Sequence, residues 1–124
     1  IKTNSLLEIN IFFLKEISRL LGINTKFIIS SELNVTSKEK SNRILEICKI
    51  LDANLYNTGE SSKNYLNQSE FTKEKIQINY ENYSNYLEYK QCWEGFIHQV
   101  SIVDLLFNCG PNSQSYLKYV NSHN

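Results

Sequence analysis

The 124-residue chain has no methionine, one proline, four glycines and three cysteines, and it carries no net charge. Without a methionine, Ile1 is expected to follow a missing upstream portion. An odd cysteine count, Cys48, Cys92 and Cys109, with no Cys-x-x-Cys pair argues against a disulfide framework and for reduced thiols in a cytoplasmic setting. It also offers no ligand-pair spacing, and Cys92 with His98 falls short of the four ligands of a closed zinc site, so no metal is expected. Thirteen basic residues balance thirteen acidic ones and are spread along the chain, so no nucleic acid or other polyanion partner is expected. The longest unbroken apolar run, Ile11-Phe-Phe-Leu14, is far short of the roughly 20 residues a membrane-spanning helix needs, so no membrane insertion is expected. No basic segment leads into an apolar one as in a secretion signal. The length suits a single domain, or a fragment of one, over residues 1–124.

What the chain does have is asparagine, 16 residues, and lysine, 11 against two arginines, dispersed among aliphatics rather than gathered in a low-complexity tract. Ser5-Leu-Leu-Glu8 has the spacing of a capping box and predicts a helix to Leu21 with Phe13, Ile17, Leu20 and Leu21 on one face, closed by Gly22. The short β-branched segment Thr25–Ser30 reads as a buried parallel strand. A helix capped near Thr36 or Ser37 follows, with Ile44, Leu45, Ile47, Cys48 and Leu51 as its apolar face. Asn54–Thr58 and the alternating Lys75–Tyr80 read as further strands, the latter with one wet face, around a helix or turn near residues 64–74. Strand, helix, strand, helix, strand is the signature of an α/β fold: a three-layer, mostly parallel sheet flanked by helices, Rossmann-like.

Tyr80, Tyr83, Tyr86 and Tyr89 recur at every third residue, ahead of Trp93 and Phe96. A spacing of three drifts around an α-helix and alternates faces on a strand, which predicts an irregular segment. Ser101–Pro111 reads as a buried helix with Ser101, Asp104 and Asn108 on one face at i, i+3 and i+7, whose polar groups need partners because unpaired buried ones cost about 1–3 kcal/mol each. Those partners are expected in the Tyr89–Trp93 segment or in the missing upstream portion. Pro111 opens a terminal helix through Tyr116, Leu117, Tyr119 and Val120.

Several segments, in order and spacing, resemble the WbqC-like family of bacterial proteins: Leu21-Gly-Ile-Asn-Thr25, Ser30-Ser-Glu-Leu33, Arg43, Ile47-Cys-Lys49, Tyr56-Asn-Thr-Gly59, Lys63-Asn-Tyr-Leu66, Tyr89-Lys-Gln91 and Ser101–Pro111. The family's Gln-Pro-Tyr-Phe-Pro type opening half is absent, so the resemblance implies a carboxyl-terminal portion and an incomplete sheet. The chain also departs at Asn85-Tyr86, where a His-Pro pair is usual, and at His98, where proline is common. The resemblance implies a place in surface polysaccharide, especially lipopolysaccharide O-antigen, biosynthesis. A transferase using an activated sugar or a small acyl or amino donor is the activity implied, with a non-catalytic binding or scaffold subunit that contacts pathway enzymes as the alternative. The substrate expected is a small molecule, nucleotide-linked in one version, and the cofactor is unknown.

Ligands of open α/β sheets sit beyond strand carboxyl ends, which selects Ser30, Ser31, Thr58, Gly59, Ser61, Ser62 and Lys63, with Lys63 and Arg43 as cations for a phosphate or carboxylate. The plainer reading of the serines is caps and turns. Asp104 and Gln91 are the catalytic candidates, Asp104 as a base or orienting group, against a purely structural polar network. Asn108, Tyr89 and Trp93 complete the substrate-binding set, the rings suiting a sugar face or a base, against ordinary packing.

Overall fold

In a computed structural model, the structure describes residues 2–82 and 86–117. The chain divides into two compact units, residues 1–27 with 85–124 and residues 28–84.

In the 28–84 unit, helix α2 (Lys40–Ile50) precedes strand β1 (Leu55–Gly59), a 3-10 turn (Glu60–Asn64), the short helix α3 (Gln68–Lys73) and strand β2 (Gln77–Glu81). The two strands pair in parallel with Leu55 opposite Gln77 and Gly59 opposite Glu81. Parallel neighbours need a crossover connection, and residues 60–76 supply it. Tyr56, Ile78 and Tyr80 turn one face of the pair toward a core of Cys48, Leu66, Phe71 and Ile76. Phe71 is fully buried and its ring stacks on that of Tyr56 at 6.0 Å. The other face is wet, as the alternation in Lys75–Tyr80 predicts: Asn79 donates across the ladder to Asn57 at 3.0 Å.

Two expectations change here. The α2 cap is Glu39 rather than Thr36 or Ser37: its carboxylate accepts from the Ser41 and Asn42 amides at 3.0 and 2.7 Å. Thr36 and Ser37 are instead held by Glu46 from within the helix, which accepts from their amides at 2.9 and 2.8 Å and from the Thr36 hydroxyl at 3.1 Å. Glu39 caps because it directly precedes the first helical residue, Lys40, where its carboxylate reaches two orphan amides at once, and Thr36 and Ser37 lie further back. The strand expected over Thr25–Ser30 has no ladder among the described residues. Ser30 opens a 3-10 turn, Ser30–Glu32, and Phe27 and Ile28 stay exposed. A β-branched run becomes a strand only where a neighbour takes its backbone groups. The described residues therefore hold a mixed helix–strand fold with two parallel strands rather than three.

The other unit holds α1 (Leu6–Leu20), residues 86–101 without helix or strand, α4 (Ile102–Cys109) and a 3-10 segment (Gly110–Tyr116) directly after it. The Ser5 hydroxyl accepts from the Glu8 amide at 3.4 Å, whereas the reciprocal half of the capping box is taken by Thr3, whose hydroxyl receives the Ser5 amide at 3.1 Å. On the expected apolar face Leu21 is buried but Phe13 is 56% exposed. The helix at Ser101–Pro111 forms with Ser101 as its cap, yet it is not buried: Leu105 is, and Phe107 is 87% exposed. The 3-10 segment replaces the start of the expected terminal helix, and Tyr119 and Val120 lie outside the described residues.

Three helices close alike. After α1, α2 and α3 the chain turns through Gly22, Asp52 and Lys75 at φ +67°, +52° and +60°. The next amides, of Ile23, Ala53 and Ile76, bond back to the carbonyls of Ser18, Cys48 and Phe71 at 2.8–2.9 Å, so the last orphan carbonyls are satisfied. Glycine suits the first site doubly, because a Cβ there would run into the Gln114 side-chain amide. Asp52 and Lys75 hold the same conformation against their own Cβ atoms.

Asp52→Gly is expected to raise stability by about 1 kcal/mol, and Phe71→Ala to lower it by about 3–5 kcal/mol, both read from urea denaturation. The Ser37 hydroxyl and the Thr36 and Ser37 amides hold the Glu46 carboxyl down to about 2 from its ordinary 4.5. Its folded value lies below its unfolded one. The stabilisation is thus complete above pH 4.5 and is lost as pH falls toward 2. In an acid titration followed by NMR, the Thr36 and Ser37 amides are expected to shift together in that window in the native chain and not in Glu46→Gln.

Candidate functional site

The cap that starts α4 also aims it. Ser101 receives the Val103 amide at 3.3 Å, which sets Asp104 in the first turn, where a carboxylate also suits the helix dipole. Asp104 Oδ2 accepts two bonds from the irregular segment before the helix, from the Tyr89 hydroxyl at 2.7 Å and from Gln91 Nε2 at 3.1 Å. One turn on, Asn108 donates to the Asp104 carbonyl at 2.8 Å and accepts from the Cys92 thiol at 3.4 Å. Asp104, and Asn108 through Cys92, thus find partners in the Tyr89–Trp93 segment, whereas among the described residues Ser101 bonds only the start of its own helix.

Gln91, only 4% exposed, is the hinge of that segment. Its Oε1 accepts the Ile97 amide at 2.8 Å and its Nε2 donates to the Ile97 carbonyl at 3.1 Å, a side chain standing in for a strand partner. The loop so closed reverses at Gly95, φ +79°. The Tyr89 ring meets Phe96 and Tyr116 edge-on at 5.1 and 5.6 Å. Burial pushes the Tyr89 phenol above its ordinary pKa, and its bond to the Asp104 carboxylate pushes it further, since a phenolate there would face a second negative charge. Chemically, the cluster is a carboxylate fixed by two donors, able to orient a hydroxyl or take a proton. Gln91 has both ends of its amide committed and acts by holding the loop and Asp104. Trp93, 45% exposed, lies in the loop that Gln91 closes. His98 is edge-on to Phe96 at 4.7 Å and 3.6 Å from Glu88. Tyr83 and Asn85, part of the tyrosine ladder and of the departure from the His-Pro pair, lie outside the described residues.

The remaining candidates belong to the 28–84 unit. β1 runs directly into the 3-10 turn at Glu60, so Ser61, Ser62 and Lys63 do follow a strand carboxyl end. Ser62 is buried and gives its hydroxyl to the Gly59 carbonyl at 2.8 Å, which fixes the turn; Ser61 is exposed. Lys63 pairs with Glu60 at 2.6 Å and lies 4.8 Å from the centre of the Tyr80 ring. Arg43 is half-buried on α2. Tyr80, the first of the tyrosines spaced three apart, takes a 2.8 Å bond at its hydroxyl from Gln68 Nε2. Gln68 was not singled out, and nothing in the sequence marked it.

The family model described as the WbqC-like protein family matches residues 1–116. The uncharacterized protein Rv1507c of Mycobacterium tuberculosis is 35% identical over 106 residues, a stretch that is 86% of this chain and 46% of that protein. The chain thus spans about half the length of this curated relative. No solved structure matches it.

Asp104→Ala is expected to cost about 2–3 kcal/mol, the loss of two hydrogen bonds to a charged group. Because the folded Tyr89 pKa lies above the unfolded one, its stabilisation is complete below the ordinary phenol value and is lost as pH rises past it. In a tyrosine titration followed residue by residue by NMR, the Tyr89 phenol should titrate at lower pH in Asp104→Asn than in the native chain; an unchanged curve would detach Tyr89 from Asp104.

Proposed function

The chain belongs to the WbqC-like protein family, and from that premise we propose that it is the carboxyl-terminal portion of a cytoplasmic transferase of bacterial surface-polysaccharide biosynthesis. The donor is an activated sugar or a small acyl or amino compound, and the product is a modified sugar of an O-antigen-type chain. In this reading β1 and β2 are part of a larger three-layer, mostly parallel, Rossmann-like sheet completed by residues outside this chain. A parallel sheet is normally covered on both faces, and here the face carrying Asn57 and Asn79 is wet.

The observation that carries the reading is Lys63. It stands on the loop after a parallel strand, where open α/β sheets bind ligands, beside an aromatic ring and an exposed carboxylate. An exposed lysine–glutamate pair is worth about 0.2–1 kcal/mol, so a phosphate with more charge displaces Glu60 readily. Lys63 holds the anionic group of the donor, with Arg43 as the second cation. Ser62 shapes the turn, and Ser61 is the hydroxyl at its surface. The other unit carries a candidate cluster of its own, in which the Asp104 carboxylate, held by Tyr89 and Gln91, takes a proton or orients a hydroxyl, with Asn108, Tyr89 and Trp93 as its ligand-contacting residues.

A second reading, a non-catalytic binding or scaffold subunit contacting pathway enzymes, is favoured by a different observation. α1 leaves Leu6 71% and Leu7 56% exposed, and α4 leaves Phe107 outside any core. Large apolar side chains left exposed on two helices suit an interaction face. Calorimetric titration with a panel of nucleotide-linked sugars separates the two. The transferase reading expects binding that Lys63→Ala weakens by roughly tenfold or more, the loss of one charge-assisted contact. No binding by the native chain or by the full-length relative, or equal binding by Lys63→Ala, contradicts it.

A further inference from the structure

We propose that the groove between α3 and β2 is a seat for a single pyranose ring that carries a negative charge, as a glycosyl phosphate or a uronate does. The groove is about 560 Å³, within the range of roughly 300–1,000 Å³ of small-molecule sites. Its lining divides by burial. Ile76 is buried and Ile78 and Tyr80 are half-buried against the core, which makes an apolar floor with one phenol. Gln68, Thr72, Lys75 and Gln77 are exposed around it and bring two amides, an ammonium and the Thr72 hydroxyl oxygen, whose proton goes to the Gln68 carbonyl at 3.0 Å.

That division matches a pyranose. One face of the ring presents C–H groups, which pack on an apolar or aromatic floor, while the equatorial hydroxyls project sideways to hydrogen-bonding groups. The Gln68 amide donates to the Tyr80 oxygen at 2.8 Å, so the phenolic proton is directed elsewhere and serves as a donor to a sugar oxygen. A few convergent polar groups over an apolar base are what fix the orientation of a small ligand.

The position of the cation is also set by the fold. Lys75 is the left-handed residue that closes α3, at φ +60°, with its amide on the Thr72 carbonyl at 3.0 Å and the next amide on the Phe71 carbonyl at 2.9 Å. A glycine would hold this turn with less strain, so the side chain is present at a conformational cost. The seat uses it: an ammonium anchored at the rim by a rigid turn is a receptor for the sugar's anionic substituent. Lys63 approaches the same Tyr80 ring from the strand-end loop. The seat deepens the transferase reading and rests on it for the choice of a sugar.

The test is a ¹H–¹⁵N NMR titration of the 124-residue chain with α-D-glucose 1-phosphate, D-glucuronate, methyl glucoside and inorganic phosphate. Two variants accompany it: Thr72→Trp, which fills the groove, and Lys75→Gly, which deletes the ammonium while relieving the backbone, so lost binding there is not lost folding. Saturable shifts at Gln68–Tyr80 with the two anionic sugars are expected. Lys75→Gly should weaken them by roughly tenfold, with methyl glucoside and phosphate weaker in the native chain. Shifts confined to Thr58–Lys63 would overturn the groove and leave the Lys63 reading standing. Absence of shifts with either anionic sugar, equal shifts with phosphate alone, or undiminished binding in Lys75→Gly would overturn the seat, whatever the nucleotide-sugar titration gives.

Discussion

One oxygen of Asp104 receives two hydrogen bonds, from the Tyr89 hydroxyl and the Gln91 amide, and the order of the irregular segment beside α4 depends on it. Residues 86–100 have no ladder and no helix to take their backbone polar groups. Such a segment must find other partners wherever it is buried. Gln91 supplies them by pairing with both backbone groups of Ile97, and Asp104 fixes Gln91. The rings of Tyr89, Phe96 and Tyr116 then pack around a backbone already held. The same carboxylate that could do chemistry is thus the one the local structure needs, which ties the stability of the segment to the geometry of the site.

The 28–84 unit is organised by burial. A small core centred on Phe71 gathers α2, α3 and one face of the strand pair, and the left-handed closures at Asp52 and Lys75 bring the chain sharply out of each helix into the next strand. Short closures of this kind leave the strands parallel and adjacent, with the loop after β1 at their carboxyl end. Lys63 follows from that geometry: the turn that Ser62 locks against Gly59 lifts the lysine to the Tyr80 ring.

Much of this was legible in the chain, and the failures have physical causes. The two strands, the wet face carrying Gln77 and Asn79, the closure at Gly22 and the irregular backbone over residues 86–89 followed from alternation, φ preference and spacing. Asp104 and Asn108 were traced to Tyr89–Trp93 because polar groups at i, i+3 and i+7 amid aliphatics require partners. The strand at Thr25–Ser30 failed because local propensity cannot supply the neighbour a ladder needs. The burial of α4 was overestimated for the same reason: an apolar sequence states what a helix could bury, and nothing among the described residues covers Phe107. Glu46 was unreadable as a latch, since its donors lie nine and ten residues back across a turn. The closures at Asp52 and Lys75 were hidden because neither residue favours a left-handed backbone.

The central claim is that buried side chains hold residues 86–100 as regular structure holds other segments. Native-state hydrogen exchange at the Ile97 amide tests it most directly, because that amide lies in no helix or strand and bonds only to a side chain, Gln91 Oε1 at 2.8 Å. The account predicts protection comparable to the amides of α4, lost in Asp104→Ala while α2 stays protected. Exchange of the Ile97 amide at the rate of an open loop in the native chain would contradict it.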